Sequence, residues 1–189
     1  VREIEKMGRK CVDSNEVFID QLKVPVADLI GEEGKGFSYI LHGLNPERIL
    51  IAAEAIGLGQ VALARAALYA KERIVFDRSI GQNQGIQHPL AKSWMELEAA
   101  NLMVFKAASL YDNNDSCAAE ANAAKYLAGE ACFHACENAI MTHGGMGYAK
   151  EYHVERYLRE VLIPRIAPVS QHQIMNFIAE KALGLPKSY

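Results

Sequence analysis

The stretch PERILIAAEAIGLGQVALARAALYAKERIV, Pro46 to Val75, decides the fold. Ile49, Ala53, Ile56, Leu63, Ala67 and Ile74 recur in it at a period near 3.6 and fall near one helical face. At 1.5 Å per residue, about 30 such residues make a rod of roughly 45 Å. Asn45 and Pro46 read as its N-cap and first helical residue. Upstream, the breaker cluster Gly31-Glu32-Glu33-Gly34-Lys35-Gly36 precedes a short helix, 37–44. Downstream, residues 79–87 read as a polar loop. A helix over 86–112 follows, with Ile86, Leu90, Leu97, Val104 and Leu110 as its buried stripe and Pro89 tolerated in its first turn. Asp112 to Asp115 ends it. Ser116 is expected to cap the next helix, 117–142, which is rich in alanine (Ala121, Ala124, Ala128, Ala131, Ala135, Ala139) and has Glu120 in its first turn. Gly144-Gly145-Met146-Gly147 stops that helix, and shorter helices are expected at 153–163 and 170–183. The expected fold is mainly α: an up-and-down four-helix bundle with extra short helices and a two-strand β remnant at the N-terminus.

That remnant is read from residues 8–30. Asn15 to Asp20 is rich in β formers, and Leu22 to Val26 alternates around a proline that suits an edge or a strand end. Two strands alone are marginal in water, so we expect the rest of their sheet to lie in sequence upstream. The start at Val1-Arg2-Glu3, without an initiator Met or a targeting segment, agrees with that expectation. The expected division is residues 1–35 as the end of a β-domain and 36–189 as the helical domain.

The chain has 189 residues, half of them apolar, enough for a sizeable core. Its net charge of -3 is spread among mixed signs, with no basic stripe for nucleic acid or an anionic membrane. No uninterrupted apolar run reaches the roughly 20 residues that span a bilayer. Cys11, Cys117, Cys132 and Cys136 form no CxxC pair and read as free thiols of a reducing compartment. Cys132, His134 and Cys136 lie close together on a helix but lack a fourth ligand of suitable spacing, so no metal site is expected. A carboxylate-bridged metal bundle needs Glu-x-x-His on two helices, and no glutamate here has a histidine three residues on.

Glu47, beside Arg48, is the strongest candidate for chemistry. In a helix's first turn its carboxylate would be stabilised by unpaired N–H groups, as any N-terminal helix acid is. A catalytic role requires a pocket that also desolvates it. Arg73-Ile74-Val75-Phe76 with Gln84 could be an ordinary helix end. His143 to Tyr148 could be a helix stop, or a turn whose backbone N–H groups face a phosphate. Glu151 and Glu155-Arg156 fit a structural ion pair.

Taken in order, Val24-Pro25, Gly31 to Phe37, Glu47-Arg48, Arg73 to Phe76 with Gln84, Gly144 to Tyr148, Glu155-Arg156 and Leu183-Gly184-Leu185-Pro186 resemble the later part of acyl-CoA dehydrogenases. The resemblance covers essentially the whole chain, but neither the N-terminal helical domain nor most of the β-domain of such enzymes. It implies oxidation of an acyl-CoA to a trans-2-enoyl-CoA, with a Glu removing the α-proton and FAD accepting the β-hydride. Most members carry that Glu in a late loop of the form Tyr-Glu-Gly-Thr-Ser, where Ala167-Pro168-Val169-Ser170 stands here. A minority carry it just before the Arg of the long helix, where this chain has Glu47. The resemblance therefore implies Glu47 as the base, with Asn45 and Arg48 positioning the thioester. Arg73, Phe76 and Gln84 would contact FAD held mainly by a neighbouring subunit, Gly144 and Gly145 would lie beside its phosphates, and Ser170 near the flavin. Asp77, Met141 and Val169 depart from the usual Gly, Gln and Gly.

A homodimer or homotetramer, an electron-accepting flavoprotein partner, and a cytoplasmic site in a bacterium or the mitochondrial matrix in a eukaryote are further expectations. Two alternatives stay open. One is a non-catalytic oligomerisation or cofactor-binding module, an inactive paralogue or isolated fragment. The other is an oxidase that passes electrons to oxygen.

Overall fold

The structure, a computed structural model, describes residues 1–188. It divides into two compact units, Val1–Leu44 and the residues from Asn45 onward, each described by itself.

In the first unit, β1 (Arg2–Glu3) pairs antiparallel with β2 (Asn15–Glu16). An Arg2–Glu16 ion pair at 2.9 Å and the Lys6 Nζ bond to Ser14 Oγ at 3.1 Å close this hairpin. The two-strand remnant is thus present, but with different partners from those expected. The strand expected over 22–26 does not form: Val26–Asp28 is a single 3-10 turn after Pro25, which has no N–H to give a ladder. Phe18, Ile19, Leu22 and Val24 are all exposed, because the unit offers no sheet face on which to bury them.

Helix α1 runs without a break from Gly36 to Glu72, with Pro46 inside it. The expected separation into 37–44 and a helix starting at Pro46 is therefore corrected. Proline costs one hydrogen bond there but does not end the helix. The helix stops at Glu72, not Val75. Ile74–Val75 (β3) turns back onto Arg78–Ser79 (β4) in a two-residue hairpin that periodicity alone did not reveal. Its turn residues Phe76 and Asp77 both have positive φ, 53° and 61°, the sign type I′ hairpins require.

Helix α2 (Gln84–Asp112) and helix α3 (Ala118–His143) follow. The N-cap of α3 is Cys117, not Ser116, and it makes no side-chain capping bond. Beyond α3, a 3-10 turn over Gly144–Tyr148 leads to α4 (Val154–Glu160), α5 (Leu162–Ile166) and α6 (Gln171–Phe177). The helix expected over 153–163 is thus two short ones.

The core is a seam of small side chains. Ala52, Ala55, Ile56, Ala62 and Ala66 of α1 share one buried cluster with Leu97, Ala100 and Ala107 of α2 and the alanines of α3. Small residues let the helix backbones approach closely. A Cβ added to Gly59 would lie 2.6 Å from Leu97 Cδ2 and 3.2 Å from the Cys132 Cα. Leu97 is 1% exposed, and burying such a side chain stabilises by about 1.5–3 kcal/mol. By length and composition alone α1 could cross a bilayer, with mean hydropathy 1.5 over its most apolar window. Core helices meet the same criterion, and the stripe above faces its neighbours in the bundle.

Candidate functional site

Asn45, Glu47 and Arg48 lie together on α1, and Arg48 Nη1 donates to Asn45 Oδ1 at 3.1 Å, one turn back. Arg48 is buried, and desolvation lowers its pKa, with Cys117 and Glu47 opposing that shift. Glu47 is exposed in this chain. It sits about three turns inside α1, so the unpaired amides of a helix N-terminus are not there to stabilise its anion. The helix-terminus stabilisation expected for Glu47 is therefore absent. The desolvation that a base requires has to come from whatever covers this surface.

Lys125 belongs to the same region and was not singled out from the sequence. It is fully buried on α3, its Nζ donates to the Val169 carbonyl at 2.6 Å, and burial, with the Arg48 charge adding, pushes its pKa down to about 8. The available signal was its register: Lys125 lies four residues after Ala121 and three before Ala128, on the buried alanine stripe. Val169 immediately precedes Ser170, whose Oγ accepts from the Gln173 N–H at 3.4 Å and so caps α6. Asn45, Glu47, Arg48 and the Ser170 loop are therefore brought to one end of the bundle through Lys125.

The other candidates gather at the opposite end. Arg73 follows α1, Phe76 is 93% exposed at the hairpin tip, and Gln84 opens α2. The Ile80 N–H donates to the Arg73 carbonyl at 2.9 Å, and Arg78 Nη2 donates to Asn83 Oδ1 at 2.7 Å, which tie hairpin and helix together. Tyr69 near the end of α1 stacks on His143 at the end of α3, ring centroids 4.3 Å apart, and Tyr152 meets both rings edge-on. A bond between His143 Nδ1 and the Ala139 carbonyl at 2.7 Å completes this packing. It sets the direction in which the chain leaves α3 into the glycine turn. Gly144 has φ 60°, and a Cβ on Gly144 or Gly145 would meet nothing within 4 Å. Their backbone faces open space, as close approach by a phosphate demands. Asp77 takes the left-handed conformation that glycine would supply, so its departure from the resemblance leaves the turn intact.

The two ends are far apart. Arg48 lies within electrostatic reach of Cys117 and Lys125 at the start of α3, whereas Tyr69 stacks on His143 at its end, so α1 and α3 run parallel. Between Arg48 and Tyr69 the helix rises on the order of 30 Å, at 1.5 Å per residue. No single chain closes both groups around one small ligand.

The fold sets the class first. Over 97% of its length the chain matches the butyryl-CoA dehydrogenase structure from Megasphaera elsdenii, with TM-score 0.92 and 32% identity, covering 48% of that chain. The fold is that of the helical region in the later half of that structure. The family model "Acyl-CoA dehydrogenase, C-terminal domain" matches residues 34–183, and the chain belongs to the acyl-CoA dehydrogenase family. FadE12, an acyl-CoA dehydrogenase of Mycobacterium tuberculosis, is 45% identical over 176 residues, covering 92% of this chain and 45% of its own length. The CarC subunit of the caffeyl-CoA reductase–Etf complex of Acetobacterium woodii is 41% identical over 155 residues, covering 82% of this chain and 41% of its own. The chain spans about half the length of the curated relatives it matches.

Proposed function

We propose that the chain is the C-terminal part of an FAD-dependent enzyme that oxidises an acyl-CoA to a trans-2-enoyl-CoA, with Glu47 as the base that removes the α-proton. The observation that carries this reading is the grouping on α1: a carboxylate beside a buried guanidinium that is itself oriented by an amide oxygen. The late loop contains no alternative carboxylate, since Pro168 cannot take a proton. Arg48 and Asn45 orient the thioester, and substrate closing over Glu47 supplies the dry surroundings in which proton removal is effective.

FAD, when bound, accepts the hydride that leaves the β-carbon. The residues present suit it. Gly144 and Gly145 leave room for its phosphates, Arg73, Phe76 and Gln84 stand exposed at the same end, and Ser170 lies at the end that holds Glu47. The distance of about 30 Å between those ends exceeds an extended FAD, which supports a cofactor shared between subunits and a two-fold homo-oligomer. The Etf complex of the CarC relative supports an electron-transferring flavoprotein as acceptor. The proposed site is the cytoplasm in a bacterium or the mitochondrial matrix in a eukaryote.

In the flavin-loaded enzyme, Glu47→Gln is expected to slow bleaching of the flavin by acyl-CoA on the order of 10²- to 10⁴-fold, with FAD retained. An unchanged bleaching rate rejects Glu47 as the base. The exposure of Glu47 and the proline in the late loop favour a second reading, a non-catalytic module. A wild type that holds FAD but is bleached by no acyl-CoA across a panel of chain lengths establishes that reading instead.

A further inference from the structure

The loop that carries Ser170 is gripped from α3 by three residues within one and a half turns. Lys125 gives its Nζ to the Val169 carbonyl at 2.6 Å. Glu130 Oε1 accepts from Arg165 Nε at 2.7 Å and from Gln171 Nε2. Between them Gly129 lets α5 approach so closely that an added Cβ would stand 3.3 Å from the Pro164 carbonyl oxygen. The chain is thus caught on both sides of Pro168, at residues 164–165 and at 169–171.

A lysine is an expensive choice for this place. It is 0% exposed, and burial next to Arg48 disfavours its charge, whereas a neutral amide could cap a single carbonyl without that penalty.

We propose that Lys125, with Gly129 and Glu130, forms a clamp that positions the Ala167–Ser170 loop and so sets where the Ser170 hydroxyl stands toward the flavin. Lys125 is a positioning residue in this arrangement, and the proposal rests on the flavoprotein reading above.

The test compares wild type, Lys125→Met, Lys125→Gln, Ser170→Ala and the Lys125→Met/Ser170→Ala pair in the flavin-loaded enzyme. Amide hydrogen exchange at residues 169–171, the Kd for FAD and the flavin absorption spectrum are recorded. Lys125→Met should speed exchange at those amides about tenfold while α1 and α2 keep their protection. It should weaken FAD binding about tenfold and shift the flavin band as Ser170→Ala does, and the pair should lose no more than the greater single loss. Lys125→Gln, which keeps a donor, should restore most of each effect. Unchanged exchange, or losses that multiply in the pair, overturns the proposal. So does failure of both Lys125 variants to fold, which makes the residue a requirement of the bundle. Hydrogen exchange needs no flavin: a wild type that retains none rejects the functional reading, and the exchange result alone then decides the clamp.

Discussion

Burial takes from the Lys125 ammonium the hydration an exposed lysine keeps, and Arg48 nearby adds repulsion, so its pKa falls from 10.5 to about 8. Between those two values the unfolded chain still holds a proton that the folded chain has released. The contribution of this group to stability therefore rises with pH across that window, and the full penalty is present below it. Relative to Lys125→Met, the wild type should gain on the order of 3 kcal/mol between pH 7.5 and pH 10.5. Urea unfolding at both pH values checks this, and parallel behaviour of the two proteins rejects a strained lysine. Asp77 gives a second expectation at this scale. Its φ of 61° is tolerable for aspartate and poor for a β-branched residue, so Asp77→Val should cost about 1–2 kcal/mol and Asp77→Gly should cost nothing. Equal melting temperatures for the two variants would show that the hairpin relaxes.

Glycine at the end of α3 has different work at each position. A Cβ on Gly147 would lie 2.5 Å from the Ile140 carbonyl oxygen, a backbone atom that cannot swing away, whereas a Cβ on Gly145 meets nothing. Gly147→Ala should destabilise by about 1–3 kcal/mol, and Gly145→Ala should fold as the wild type does. Gly145→Ala then isolates the approach of a phosphate: FAD affinity should fall with the melting temperature unchanged. An unchanged affinity removes Gly145 from the cofactor site. Elements of this kind also divide what the sequence disclosed from what it did not. Leu97 and Val104 of the α2 stripe and the glycine stop of α3 were legible, because periodicity and a glycine exit are local properties, whereas Ile86, Leu90 and Leu110 are only half-buried. The continuity of α1 through Pro46 was not, since helix on both sides of a proline can override its local signal. The hairpin at Phe76-Asp77 carries none of the Asn-Gly chemistry that marks such turns. Lys125 was legible only as a charge standing in register on an alanine face, and its acceptor lies 44 residues away.

Over the whole chain, large apolar side chains stand exposed in both units: Phe18 and Ile19 in the first, Trp94, Leu102 and Phe105 in the second. Few folded proteins leave so many uncovered without a partner. Helix order and motif spacing announced the bundle, but not which surfaces it presents to other subunits, because an outward leucine and an inward one obey the same periodicity. The candidate residues were named individually, and their separation into two ends emerged only from the nearness of Arg48 to Lys125 and the stacking of Tyr69 on His143. That separation makes a specific expectation for these 189 residues on their own. The polypeptide should be helical by circular dichroism, since the alanine seam is complete within it. It should self-associate with rising concentration in sedimentation velocity, through its exposed apolar faces. It should release FAD on gel filtration, because under the proposed sharing between subunits each end holds only part of a cofactor site. Stoichiometric FAD carried through the column by this polypeptide would mean that a single end suffices, and would remove the structural reason for a cofactor shared between subunits.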